Sequence, residues 1–242
     1  CTGEASGNSA DLTGAGVFKS VDGGNTFTQL AATNNTNFSF CWSVKCSPKD
    51  TNTLFVATHT SGLWRSNDAG LTFSRVYNTG TQINDLEVLP DGAVLFTIKG
   101  SGVYRSATGE INTFSKVASI NSASSARAEV AYCKNFPNVV YAAISGPDNS
   151  YNGVLKAFYK SSDGGKTFVE KGIIHNIPTT DNSILYALCK HDCQAGHHHD
   201  NHVHFICDSC SKTICLDDVT IPDVKLPKGF TPKHAEMVVN GI

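Results

Sequence analysis

GVFKSVDGGNTF, residues 16–27, runs an apolar-to-polar strand into a Ser-x-Asp-Gly-Gly turn and ends on a phenylalanine. The same order returns in GLWRSNDAGLTF (62–73), GVYRSATGEINTF (102–114) and FYKSSDGGKTF (158–168). The closing residues Phe27, Phe73, Phe114 and Phe168 lie 46, 41 and 54 positions apart. Self-similarity at that period marks stacked β-units that share a core. Apolar stretches such as TLFVAT (53–58), AVLFTI (93–98) and NVVYAAI (138–144) separate the motifs, each leading toward a glycine-bearing turn. Glycines at 23, 24, 70, 164 and 165 tolerate the positive φ of tight turns. The carboxylates of Asp22, Asp68 and Asp163 are placed to accept hydrogen bonds from their own turn amides. Each phenylalanine is expected to drop back into the core.

The pattern resembles the Asp-box, or BNR, repeat of sialidase-like and sortilin-like β-propellers, over residues ~10–168. The third copy departs from it: SATGEINTF has no aspartate, and its turn is expected to be looser. In such families the Asp-box lies away from the catalytic pocket, so Asp22, Asp68 and Asp163 are assigned to turn structure rather than acid catalysis. A sialidase needs converging arginines for its substrate carboxylate. The repeat holds only Arg65, Arg75, Arg105 and Arg127, and Arg65 and Arg105 share one slot of the motif. A xyloglucanase-like hydrolase would use two carboxylates, and no such pair stands out. Four motifs enclose three full intervals, whereas a closed propeller has about 4–8 blades, so the expectation is an open arc.

The composition changes abruptly after residue 168. Of nine cysteines, Cys189, Cys193, Cys207, Cys210 and Cys215 crowd the end of the chain, and seven of nine histidines lie at or after His191. AGHHHDNHVHFICDSC (195–210) holds five histidines and a Cys-x-x-Cys pair. HFICDSCSKTICL (204–216) reads strand, turn, strand, and two thiolates at such a tip can share one tetrahedral ion. His202 and His204 alternate on a strand and so share a side. Imidazole and thiolate suit Zn2+, with Fe2+ or another divalent metal as the alternative.

The stretch FVEKGIIHNIPTTDNSILYALC…HHHDNHVHFICDSC…LPKGF…HAEMVVNGI, residues ~166–242, resembles the ferric uptake regulator family, including its zinc and peroxide branches. That resemblance implies a metal-dependent transcriptional repressor whose small α/β domain forms a homodimer. Cys207 and Cys210 match its structural zinc pair, and His202 and His204 match sensor ligands. Cys193 and Asp181 are the nearest candidates to complete a sensor tetrahedron, with Cys215, His199 and His234 as further ligands. The family's second cysteine pair would fall beyond Ile242, so the Cys207–Cys210 site is expected to be the weaker one. The helix-turn-helix is missing upstream: the Asp-box motif arrives instead, and Lys166, Thr167 and Phe168 fit both patterns.

The chain therefore reads as chimera-like and mainly β. It comprises a partial propeller at 1–165, a winged-helix wing remnant at 166–188 and a truncated metal-binding dimerisation domain at 189–242. DNA binding is not expected, because the recognition helix is absent and residues 169–242 carry six Lys+Arg against nine Asp+Glu. The net charge of −2 points to no nucleic-acid or membrane partner, and no apolar run reaches the ~18 residues of a spanning helix. The chain begins at Cys1 without methionine, so a true N-terminus is expected upstream. The propeller half implies a secreted or periplasmic setting and the regulator half a cytoplasmic one. The leading functional reading is the metal-binding regulator remnant. The alternative is a secreted propeller-type glycan-binding or glycoside hydrolase-like protein with an incidental metal-binding tail.

Overall fold

The computed structural model describes residues 1–3, 12–120, 127–146, 155–171, 174–177, 185–188, 202–210, 213–222, 226–229 and 237–242. The chain divides into two compact units, Cys1–Val169 and Glu170–Ile242.

The first unit is a series of antiparallel sheets. Strands β1 (Phe18–Lys19) and β2 (Thr28–Gln29) pair around the first motif and form half a blade. The second blade is four-stranded: β3 (Cys41–Cys46), β4 (Leu54–Thr58), β5 (Leu63–Ser66) and β6 (Ser74–Tyr77), in that order. The third repeats it with β7 (Ile83–Val88), β8 (Val94–Ile98), β9 (Gly102–Ser106) and β10 (Ser115–Lys116). The fourth is built from β11 (Ala128–Cys133), β12 (Phe136–Ser145), β13 (Leu155–Ser161) and β14 (Val169–Glu170). Each Asp-box motif joins the third strand of its blade to the fourth. The first strands β3, β7 and β11 are neighbours and form the inner row of the arc.

The near-continuous apolar runs follow from this stacking. Strands β4 and β8 are buried at every position, because each is covered on both faces by adjacent blades. Three core clusters lie along the series. Val17, Phe38, Cys41 and Val56 form the first, Phe55, Leu63, Ile83 and Phe96 anchor the second, and Leu95, Val103, Val140 and Phe168 anchor the third. The Cys41 thiol donates to the Phe38 carbonyl at 3.2 Å, and burial pushes its pKa up to about 11, so it packs as an apolar group.

Two sequence expectations need correction. Phe27 does not enter a core: it is 63% exposed, whereas Phe168 is 4% exposed and Phe73 and Phe114 are half-buried. No blade precedes the first motif among the described residues, so Phe27 has nothing to pack on. The third turn is not loose either. Ser106 Oγ still accepts the Gly109 amide at 2.8 Å, and the hydroxyls of Ser106 and Thr113 bond at 2.5 Å where an aspartate would have bridged.

In the second unit β15 (Ile174–Ile177) pairs antiparallel with β16 (Leu185–Leu188). Strand β17 (His202–Cys207) lies between β18 (Thr213–Thr220), antiparallel, and β19 (Met237–Gly241), parallel. The described residues of the chain contain no α-helix. The α/β dimerisation domain expected here is not shown: the described elements of the second unit are strands, and the fold that is shown is mainly β. No helix among the described residues is long and apolar enough to cross a membrane.

Candidate functional site

The repeated turn is a closed hydrogen-bond circuit. Asp68 Oδ1 accepts the Ser66 hydroxyl at 2.7 Å and the Thr72 amide at 2.9 Å, while its Oδ2 accepts the Thr72 hydroxyl at 2.6 Å. Asp22 holds Ser20 and Thr26 in the same way, and Asp163 holds Ser161 and Thr167. The Thr72 hydroxyl and amide and the Ser66 hydroxyl pull Asp68 down to a pKa of about 2. Asp22 is lowered further by the Thr26 hydroxyl and amide. At Asp163 partial burial opposes the shift, but the Thr167 and Ser161 bonds prevail and the pKa is again low. These carboxylates hold no proton near neutral pH, and their oxygens are committed to the turn.

A different set of groups gathers where the inner strands begin. The Phe40, Gln82 and Arg127 carbonyls accept the amides of His59, Lys99 and Ser145, each at 2.9 Å, so these positions correspond from blade to blade. Just inside, Cys41 pairs with Thr58 and Ser43 with Ala57, leaving Trp42 as a bulged extra residue. Ile83 and Asp85 flank Asn84 in the same way, while Ala128 and Glu129 have no such insertion. A bulge redirects the side chain it carries. Trp42 is half-buried and stacks on His59 with ring centroids 6.5 Å apart, and Phe40 meets the same imidazole edge-on at 6.3 Å. Trp42 Nε1 and Asn84 Oδ1 are buried without a hydrogen-bond partner among the described residues.

Beside this cluster, Ser43, Asp85 and Glu129 occupy one repeat slot, opposite Ala57, Thr97 and Ala143. Asp85 Oδ1 accepts the Leu86 amide at 2.8 Å, and its Oδ2 crosses to the next inner strand to accept the Val130 amide at 2.9 Å. Glu129 accepts the Arg127 guanidinium and feels the charge of Asp85. Burial raises the Glu129 pKa, Arg127 opposes that, and the adjacent Asp85 charge adds to it. One repeat earlier, Lys45 bridges to Glu87 at 3.0 Å. Sequence reading missed this pair because it aligned only the Asp-box motifs. Aligning the inner strands on their buried positions would have placed Asp85 and Glu129 in one slot.

In the second unit, His204 is buried on β17 and its backbone pairs with Cys215 on β18. Cys207 and Cys210 sit at the end of β17 and in the turn beyond it, the first half-buried and the second exposed. The amide and thiol of Cys210 and the Ser209 amide stabilise the Cys207 thiolate and lower its pKa. His204 and Cys207 fall on opposite faces of β17, three positions apart. His202 lies on β17 as well, but its side chain and that of Cys215 are outside the description. Asp181, Cys193, His199 and His234 lie outside the described residues. Among the described residues no three His, Cys, Asp or Glu side chains gather as a metal cluster. The fit to zinc there is thus two thiol ligands.

No family model matches this chain, and no curated protein matches it. Solved structures do. The GH74 xyloglucanase from Xanthomonas campestris is similar at 20% identity and a TM-score of 0.50, covering 69% of this chain and 29% of that one. The Niastella koreensis GH74 enzyme has 18% identity and a TM-score of 0.46, covering 73% and 31%. YCF48 from Cyanidioschyzon merolae has 18% identity and a TM-score of 0.37, covering 54% and 36%. The chain thus spans about a third or less of the two GH74 enzymes. The xyloglucanase likeness shows the fold: a β-propeller-type repeat region. These comparisons offer nothing for the regulator reading of the second unit, which rests on the sequence resemblance alone.

Proposed function

We propose that the Cys1–Val169 unit is a glycan-binding arc of propeller type. The observation that carries this is the Trp42–His59–Phe40 cluster, half-buried at the start of the inner strand β3, with polar groups (Asn84, Asp85, Arg127 and Glu129) at or next to the corresponding positions of β7 and β11. Aromatic faces with a few polar groups around them suit sugar rings, which are apolar on their C–H faces and hydroxyl-bearing at their edges. The reading is binding rather than hydrolysis. A glycosidase needs its two carboxyl groups about 5–9.5 Å apart across the scissile bond. The Asp85 and Glu129 charges act on one another, and their oxygens are taken up by the Leu86 and Val130 amides and the Arg127 guanidinium. Analogy of fold alone selects the first probe, soluble xyloglucan. Affinity electrophoresis of the full chain in xyloglucan gels should show retardation, and Trp42→Ala should weaken it at least about tenfold while near-ultraviolet circular dichroism stays native. Absence of retardation in xyloglucan and in other neutral β-glucans would overturn the proposal, as would full retention by the variant.

The Cys207–Cys210 turn favours a second reading, a weak zinc site in the second unit. Its two thiols lie three positions apart, with Cys207 already biased toward thiolate. Zinc titration against a chromophoric chelator should show a weak event that Cys207→Ser with Cys210→Ser removes. A tighter event that survives this pair but is lost in His202→Ala with His204→Ala would support the sensor set as well.

A further inference from the structure

The inner strands of the second and third blades share one departure from regular pairing. Cys41 and Val44 both pack in the first core cluster, and Ile83 and Leu86 both lie in the second, although each pair is three positions apart. Strict alternation would put such residues on opposite faces of a strand. One extra residue absorbs the mismatch, and it is Trp42 in β3 and Asn84 in β7. In β11, Ala128 and Val130 share the core face two positions apart, opposite Ile144 and Ala142 in continuous register, so the fourth blade carries no counterpart.

The two displaced side chains differ in kind and share a deficit. Neither belongs to a core cluster. Asn84 is 9% exposed, and its Oδ1 is buried with no hydrogen-bond partner among the described residues. Trp42 Nε1 is buried in the same state, while the indole face stacks on His59. Most buried polar atoms find a partner, and leaving one unpaired destabilises the folded protein. Since β3 and β7 are adjacent inner strands, the two orphaned atoms stand at corresponding places of neighbouring blades.

Their chemistry defines what fits. An indole N–H only donates, and an amide oxygen only accepts. Hydroxyl groups do both. An ionised carboxylate or phosphate could accept from Trp42 but has no proton to give Asn84, and an ammonium could donate to Asn84 but not accept from Trp42. The nearby Arg127 guanidinium is already held by Glu129, so it is not free to receive an acidic sugar.

We infer that Trp42 and Asn84 form a hydroxyl-reading subsite for one neutral sugar unit, an inference that rests on the glycan-binding reading. One hydroxyl of the sugar accepts from Trp42 Nε1, and a hydroxyl of the same unit donates to Asn84 Oδ1. The paired bulges are the device that selects the ligand: they turn one donor and one acceptor out of the strand alternation. The Trp42–His59–Phe40 rings supply stacking, and this pair supplies the choice of an uncharged, hydroxyl-bearing ligand.

Two conservative substitutions in the full chain test this. Trp42→Phe keeps an aromatic ring and removes the N–H. Asn84→Leu keeps the shape and removes the carbonyl. In xyloglucan affinity gels each should weaken retardation about three- to tenfold, the effect of one lost hydrogen bond. The urea midpoint of each unliganded variant should hold or rise, because an apolar group replaces an unpaired polar one. Wild-type retardation in polygalacturonate gels should be much weaker than in xyloglucan. Full retardation of either variant overturns the subsite and leaves the glycan reading standing. A lowered midpoint in either variant overturns it too, since the polar atom would then serve the fold. Equal retardation in polygalacturonate overturns the neutral class. A wild type that no neutral β-glucan retards overturns the glycan reading and this inference together.

Discussion

The Asp22 and Asp163 turns have the same bonds and opposite surroundings. In both, a serine hydroxyl, a threonine amide and a threonine hydroxyl close on one carboxylate. Yet Gly165 is pressed against Leu95 and Phe168 is buried, while Gly24 faces open space and Phe27 is exposed. The comparison separates two contributions that repeats usually merge. Local hydrogen bonding writes the turn, and the preceding blade provides the burial.

The largest difference should appear on deleting the two phenylalanines. Phe168→Ala should cost about 3–5 kcal/mol, the range for a buried aromatic, and Phe27→Ala should stay within about 0.5 kcal/mol, as exposed positions do. Urea unfolding of both variants measures this, and equal losses would break the distinction.

A smaller effect concerns acid. The folded-state pKa of Asp68, about 2, lies below its ordinary value of 3.8. Its contribution is therefore complete above about pH 4 and is lost as pH falls through the folded value. Asp22 and Asp163 shift in the same direction. Urea midpoints should fall between pH 5 and pH 2.5, and Asp68→Asn should flatten that slope. Glu129 runs the other way: its raised pKa gives a contribution present at low pH and lost as pH rises through the folded value. Glu129→Gln should remove that component. An unchanged pH slope in both variants would show that the turn and the inner-strand pair titrate as in the unfolded chain.

The smallest effect contrasts the repeat turns with the Cys-x-x-Cys turn of the second unit. There the turn amides aim at a thiol rather than a carboxylate. Cys207 should be alkylated by iodoacetamide at pH 7 severalfold faster than the exposed Cys46, as followed by peptide mapping. Equal rates would remove the bias toward thiolate on which the zinc reading draws.

These contrasts also mark what the sequence made legible. The turn was readable because its bonds join residues no more than five apart, and Ser, Asp, Gly and Thr announce them. The fate of Phe27 was not readable, because burial depends on a blade that the motif does not encode. The resilience of the third turn was hidden for a related reason. The Thr113 hydroxyl pairs with that of Ser106, and the Thr108 amide donates to the same Ser106 oxygen, where an aspartate bridges elsewhere; neither threonine stands out as a substitute. Asp85 and Glu129 come together only through the inter-blade register, 44 positions apart in sequence. The parallel pairing of β17 with β19 has no local signature either, since Val203 meets Met237 across a long connection.

Amide hydrogen exchange tests the central claim most directly, because it reads the two equivalent turns in one molecule. The Gly24 and Thr26 amides should exchange at least about tenfold faster than those of Gly165 and Thr167. Only the latter open together with a packed core. Equal protection at both turns would contradict the account, since it would mean that the hydrogen-bond circuit alone, without a preceding blade, holds the Asp-box closed.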